Sequence, residues 1–418
     1  MTQPSPTRRA FLSSLGALSV AGALPVRAWA ATGGANIGRT ATEIRRGLAA
    51  ADDFGFAPGL VYLQTGSLGP TPRPVIERTM EAWKELERNP TLVCYGKHEQ
   101  EMEEVRAKAA AFIGCGTDEL LLTNSTSEGM NWVAQGITFA RGDRILTTDQ
   151  EHPGGRACWD YVARRYGVII DVVPIPPGEN NPSAIVARFR QQMTPRTRVL
   201  SFSHLLTSTG LRMPVAELSA LARSRKCLSV VDGAQAIGAV ALDMTALGCD
   251  VYATSGHKWL LGPKGTGLLY IRADVGARID PIALQSGHSA YNASTGVCST
   301  PSALGLGAAI DYISSIGLTS IEAHNNTLYR RLYDGMKRVS KASVVSAAPG
   351  SLSTAQLTFS LPPDAPSGEL ATRLFDKHHI QVKVVPANML NGNRISTHLF
   401  NTERDVDALL AALKLELA

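Results

Sequence analysis

From Leu120 to Gly248 the chain alternates short apolar runs with longer stretches of helical periodicity, and nothing else in the sequence constrains the fold as strongly. Leu120-Leu121-Leu122 precedes a helix starting at Ser127, and Arg144-Ile145-Leu146-Thr147 precedes another at Gly155. Strands at 168–173 and 198–202 are followed by helices at 183–193 and 215–225, and a further strand covers 228–231. This alternation predicts an α/β fold: a mostly parallel sheet covered by helices on both faces. Ligands of such sheets gather at the carboxyl ends of the strands, so polar residues just after strands are the functional candidates.

Several stand there. Asn124-Ser125-Thr126-Ser127-Glu128 follows the first strand. Small hydroxyl residues at a helix start leave backbone N–H groups and the positive helix end free for an anion, typically phosphate, although they also serve as a plain cap. Glu151-His152-Pro153 follows the second strand, and Asp232-Gly233-Ala234-Gln235 follows the strand at 228–231. A carboxylate buried at that point needs a cationic partner, unless it caps a turn. A strand at 251–254 then breaks at Ser255-Gly256 and presents Lys258 between His257 and Trp259. A desolvated lysine loses basicity and becomes nucleophilic; the plainer alternative is a lysine lying along the surface.

An anion-binding helix start, a histidine, an aspartate and a lysine, all following strands of one sheet, are what a pyridoxal phosphate (PLP) site requires. The sequence resembles the class V aminotransferase family of fold-type I PLP enzymes, which includes cysteine desulfurases and isopenicillin N epimerase-like proteins. The matching stretches are Thr-Gly-Ser-Leu-Gly-Pro (65–70), Asn-Ser-Thr-Ser-Glu-Gly (124–129), Glu-His-Pro-Gly-Gly (151–155), Ser-His-Leu-Leu-Thr-Ser-Thr-Gly (203–210), Val-Asp-Gly-Ala-Gln-Ala-Ile-Gly (231–238), Ser-Gly-His-Lys-Trp-Leu (255–260) and Arg-Ile-Ser-Thr-His-Leu-Phe-Asn-Thr (394–402).

The resemblance implies a seven-stranded large domain at 61–305, a smaller α+β domain at 306–418, and a homodimer. It also implies roles. Lys258 is the Schiff-base lysine and moves the proton at Cα. Asp232 pairs with the pyridine nitrogen, and His152 stacks on the ring. Ser125, Thr126 and Ser127, with Ser255 and His257, hold the phosphate. Gln235, with Thr207 or Ser208, meets the ring hydroxyl, and Arg394 clamps the substrate carboxylate. Arg394, Ser396 and His398 fall at period two on a strand at 394–399, with His398 and His204 read as core histidines.

The chain departs from the family pattern at two places. Val297 stands where relatives carry a threonine that reaches the partner's phosphate, and this marks 289–299 as a specificity segment. No cysteine follows Cys298, and the loop at 385–389 lacks the nucleophile that desulfurases need there, which argues against a persulfide mechanism.

At the N-terminus, Arg8-Arg9 precede an Ala/Gly/Leu-rich stretch and Ala28-Trp29-Ala30, a pattern resembling a twin-arginine export signal over 1–30. Residues 31–60 read as a leader with one helical piece near 41–52. The expectation is thus a periplasmic enzyme that passes the Tat machinery and has no membrane attachment in its mature form. Its substrate is a small amine or peptide-like metabolite. The chemistry is transamination first, with epimerisation, racemisation or elimination as alternatives, and a non-enzymatic scaffold last. The net charge of +5 over 418 residues, without basic runs, speaks against nucleic acid. Six scattered cysteines without Cys-x-x-Cys spacing imply no metal centre.

Overall fold

The structure is a computed structural model that describes residues 45–50, 52–285, 287–291, 293–385 and 389–418. The export-signal reading at 1–30, the leader up to 44 and Pro386 to Asn388 lie outside the described residues.

Seven strands build the central sheet: β1 (Leu120–Thr123), β2 (Arg144–Thr148), β3 (Ile169–Val173), β4 (Thr197–Ser203), β5 (Leu228–Asp232), β6 (Val251–Ser255) and β7 (Gly267–Ile271). Their spatial order is β1-β7-β6-β5-β4-β2-β3. The pairings among β2 to β6 are parallel, and β7 runs antiparallel to both β1 and β6. Strands β5, β6 and β7 are buried along their whole length, so they are mostly apolar, with Asp232 and Ser255 standing at the carboxyl ends of β5 and β6.

Alternate strand residues serve opposite faces. Val199, Val230 and Val251 pack with Met130, Val133 and Trp159 of helices α3 (Thr126–Gly136) and α4 (Pro153–Tyr166). Their neighbours Leu200, Val231 and Tyr252 pack on the other face with Phe189 and Leu218, from α5 (Pro182–Gln192) and α6 (Val215–Ser224). Helices α1 (Arg73–Leu86) and α2 (His98–Ile113) lie against α7 (Thr300–Ile316).

The small domain is an antiparallel sheet in the order β8-β9-β11-β10, formed by β8 (Ser343–Val344), β9 (Gln356–Ser360), β10 (Lys383–Val384) and β11 (Gly392–Ser396). Helices α8 (Leu318–Met336), α9 (Ser367–His378) and α10 (Glu403–Glu416) cover it. Leu328, Leu374 and Leu409 fill its core with Leu357, Phe359 and Ile395.

Four expectations need correcting. The boundary at 305/306 falls inside the unbroken helix α7, whose Leu306, Ile310 and Ile313 belong to the large-domain core; the chain crosses between domains within α8, from Ile321 to Leu328. At the other end, Val61–Tyr62 pairs with Ile380–Gln381 and Leu63 joins the small-domain core, so the large domain does not begin at 61. Within the expected helix at 41–52, Arg45–Arg46 and Ala49–Ala50 instead form a short antiparallel hairpin, and the Leu48 N–H donates to the Leu399 carbonyl at 2.7 Å. The strand expected at 394–399 ends at Ser396, leaving His398 beyond it. Pairing with residues far along the chain decided two of these: Val61–Tyr62 on Ile380–Gln381, and Leu48 on Leu399. Among the described residues no single helix is long and apolar enough to cross a membrane.

Candidate active site

A cavity of about 360 Å³ opens where the carboxyl ends of β5 and β6 and the N-termini of α3 and α4 meet the small-domain sheet. Each residue singled out above as catalytic, cofactor-binding or substrate-binding lines it.

Helix α3 points its N-terminus at this cavity. Ser125 caps it, accepting the Glu128 N–H at 3.3 Å, while the Glu128 carboxylate reaches back to the Asn124 N–H at 2.6 Å. The Thr126 N–H donates to Ser255 Oγ at 3.1 Å, and the two hydroxyls lie 2.8 Å apart. Ser255, last residue of β6, is thereby joined to the helix start. Backbone N–H groups, Ser125, Thr126, Ser127 and Ser255 make a donor-rich corner suited to a phosphate. His257 stands beside it, its Nδ1 held 3.2 Å from the Thr266 carbonyl. Burial and then Lys258 lower its pKa.

Asp232 ends β5 and is buried. One oxygen, Oδ1, accepts the Ala234 N–H at 2.9 Å. The other lies against Gly155 of α4: a Cβ there would come within 2.3 Å of Oδ2, so only glycine lets the carboxylate face the cavity. Burial raises its pKa, while the Ala234 N–H and Lys258 act the other way. A cationic group against Oδ2 would relieve that burial.

The loop after β6 carries Lys258. Its backbone is fixed by Gly69, whose N–H donates to the His257 carbonyl at 2.9 Å; a Cβ on Gly69 would fall 1.8 Å from the Lys258 carbonyl. Trp259 anchors the other side, fully buried, with its indole N–H on Gln235 Oε1 at 2.8 Å. Burial pushes the Lys258 pKa down to about 8, reinforced by Arg394 and Lys383 and opposed by Asp232.

His152 caps α4, its Nδ1 accepting the Gly154 N–H at 3.0 Å, so a neutral ring carries its proton on Nε2. Burial, then Lys258 and Arg394, lower its pKa to about 4, which keeps it neutral at physiological pH. Beneath it, Glu151 accepts from the Thr148 and Ser203 hydroxyls, both at 2.6 Å. Burial raises its pKa to about 7.

Gln235 is more committed than the sequence suggested. Its amide nitrogen donates to the Gly66 carbonyl at 2.8 Å, and its Oε1 accepts from Trp259 and from Gln356 of the small domain at 2.6 Å. One amide hydrogen remains for the cavity. Ser208 likewise spends its hydroxyl on Gln150 at 2.7 Å, whereas Thr207 Oγ1 accepts from Arg394 Nη1 at 2.7 Å and keeps its own proton to give.

Arg394 on β11 is buried, with Nη1 on the Thr207 carbonyl at 2.8 Å and Nη2 3.4 Å from Ser67 Oγ. Among the described residues no carboxylate pairs with it. Burial lowers its pKa to about 10. Sequence reasoning missed Lys383, which also lines the cavity; a lysine inside the apolar run Val382-Lys383-Val384-Val385 was the available signal. His398 and His204 lie outside the cavity lining. His398 Nε2 meets the Trp259 carbonyl at 2.7 Å and His204 Nδ1 the Tyr252 hydroxyl at 2.9 Å, as core histidines. Val297 is 59 % exposed and, with Cys298, lines a separate crevice against Cys94 and Tyr95.

The donor set fits PLP: a helix N-terminus with hydroxyls for the phosphate, a buried carboxylate with one oxygen cleared by Gly155, a flat neutral imidazole and a lysine of lowered pKa.

Comparison with known proteins agrees. The family model "Aminotransferase class-V" matches residues 61–409. Isopenicillin N epimerase of Amycolatopsis lactamdurans is 33 % identical over 380 residues, covering 85 % of this chain and 95 % of that protein. A cysteine desulfurase of Serratia proteamaculans is 29 % identical over 388 residues, covering 85 % and 93 %. Among solved structures, a C-DES mutant with glycine covalently linked to its PLP cofactor superposes with a TM-score of 0.77 at 24 % identity, over 87 % of this chain and 98 % of that one. The chain belongs to the class V aminotransferase family of fold-type I PLP-dependent enzymes.

Proposed function

We propose that this protein holds an amino acid, free or within a peptide-like metabolite, by its α-carboxylate on Arg394 and moves the Cα proton with Lys258. The observation that carries this is a buried guanidinium that has no acidic partner among the described residues, in the same cavity as a lysine whose pKa has fallen to about 8. Burial without a counter-ion is costly, and an anionic ligand offsets it. When bound, PLP supplies the electron-withdrawing ring that spreads the charge left at the substrate Cα.

Lys258 would attach the cofactor, and its free amine would serve as the general base at the substrate Cα. Asp232 would hold the proton of the ring nitrogen. His152, neutral and fixed as a helix cap, would supply a flat surface for the ring. Ser125, Thr126, Ser127, Ser255 and His257 would hold the phosphate, and Thr207 with the free Gln235 hydrogen would serve the ring hydroxyl.

Reprotonation decides the outcome. The resemblance put transamination first; relatives at 33 % and 32 % identity, both named isopenicillin N epimerase, favour epimerisation at Cα. Transamination is the second reading, supported by the family description. We infer that desulfuration is not its reaction, because none of the six cysteines lines the cavity and none follows Cys298. Relatives named cysteine desulfurases keep that alternative worth testing with free cysteine. Export through the twin-arginine route is part of the proposal, supported by Arg8-Arg9 and Ala28-Trp29-Ala30.

The deciding experiment incubates the holoenzyme with single-enantiomer amino acids in deuterated water. Epimerisation gives deuterium at Cα with inversion, and transamination gives a keto acid. Alanine formed from cysteine would sink the exclusion of desulfuration, whereas sulfide with pyruvate would show elimination. Absence of deuterium exchange with every amine, together with absence of bound PLP, would leave only a scaffold.

A further inference from the structure

Lys383 lines the cavity, yet the reaction proposed above gives it nothing to do. It stands directly opposite Arg394 across the β10–β11 ladder, so the two side chains leave the same face of the small-domain sheet. Its ammonium is half-buried, and burial together with the neighbouring guanidinium lowers its pKa. Among the described residues no carboxylate lies within ion-pair reach of either group. Other sheltered cations of this chain are treated differently: Arg106 pairs with Glu103, Arg144 with Asp171, and Arg272 with Asp250 at 2.8 Å. Two like charges placed side by side in a sheltered cavity repel each other, so a second anion is what such an arrangement selects for.

One carboxylate satisfies Arg394. Its Nη1 is committed to the Thr207 carbonyl and hydroxyl, while Nη2 has Ser67 Oγ at 3.4 Å and Nε has no partner among the described residues, so a single edge of the fork is left for a ligand. Lys383 therefore has its three hydrogens for another acceptor. Val385 and Met389, which also line the cavity, offer apolar wall for a short methylene spacer.

We propose that Lys383 forms a second carboxylate subsite, and that the enzyme takes dicarboxylic amino acids or their peptide-like derivatives. The α-carboxylate sits on Arg394 and the remote carboxylate on Lys383. This rests on the reading of Arg394 as the α-carboxylate clamp.

The test is binding of unreactive acids to the holoenzyme by calorimetry, comparing glutarate and adipate with butyrate and hexanoate. The dicarboxylates are expected to bind at least about tenfold tighter, on the scale of one charge-assisted hydrogen bond. Lys383→Gln and Lys383→Met should remove that preference and leave butyrate affinity unchanged, with cofactor absorbance as the check on folding. Equal binding of glutarate and butyrate to the wild type overturns the proposal. So does a Lys383 variant that weakens all four acids in equal proportion, since Lys383 would then serve the carboxylate on Arg394. A dicarboxylate preference in an enzyme that exchanges no Cα proton would uphold the subsite and overturn the proposed reaction; exchange without preference would do the reverse.

Discussion

At the scale of single residues the decisive quantity is the basicity of Lys258. Burial lowers its pKa from an ordinary 10.5 to about 8, and Arg394 and Lys383 push the same way, while Asp232 opposes them. The sign for stability follows from proton counts. Between pH 8 and 10.5 the native state holds fewer protons at this site than the unfolded chain, so stability from Lys258 rises with pH across that window. The cost of burying the ammonium is felt in full below it. Capture of PLP by cofactor-free protein needs the free amine. Its rate is expected to rise with pH and level off near 8, followed by stopped-flow absorbance. In Asp232→Asn, which removes a carboxylate that raises the Lys258 pKa, the plateau should move to lower pH. A plateau near the ordinary lysine value would refute the desolvated-lysine account.

Helix starts are the elements that carry the site. Both α3 and α4 begin at the cavity, and each is capped by a residue that also faces the ligand space, Ser125 and His152. Each cap accepts a helix N–H and leaves its other group for the ligand, the Ser125 hydroxyl proton and the His152 ring face. Ser125→Ala removes the acceptor for the Glu128 N–H and is expected to cost about 1 kcal/mol. The midpoint of urea unfolding of the cofactor-free protein should fall accordingly, and the PLP dissociation constant should rise. Unchanged PLP affinity alongside the lost stability would show that the α3 start is a cap only and that the phosphate lies elsewhere.

For the whole molecule, the groups that line the cavity are divided between domains. Lys258 and Asp232 come from the large domain, Arg394 and Lys383 from the small one, and Gln235 ties the two through Gly66, Trp259 and Gln356. A further surface remains unpartnered in one chain. Ile76, Met80 and Trp83 recur at helical spacing on α1 and are 47 %, 53 % and 50 % exposed; Leu68, 48 % exposed, belongs to the loop whose Gly66 and Ser67 line the cavity. An apolar stripe of this kind next to a binding site marks an interface, and we propose that a second copy of the chain covers it. Trp83→Glu is expected to yield monomers by light scattering and to weaken activity through the Leu68 loop. A wild-type protein that is monomeric and fully active would end the dimer proposal.

The sequence by itself determined the α/β class, the run of strands from Leu120 to Thr254 and the carboxyl-end positions of Asp232, Ser255 and Lys258. These follow from local periodicity and from the rule that polar residues ending buried strands need a purpose. The family motifs named Arg394, but local pattern could not say that it would lie buried beside Lys383, with no carboxylate among the described residues to pair with it. That required the register of β10 on β11. Local pattern also failed where partners are distant in sequence: Val61–Tyr62 joins Ile380–Gln381, α7 runs through the expected boundary, and Gly69 rests on the Lys258 carbonyl. Pairing and close approach between segments hundreds of residues apart are tertiary events. They decided how the groups read from the sequence meet around one cavity.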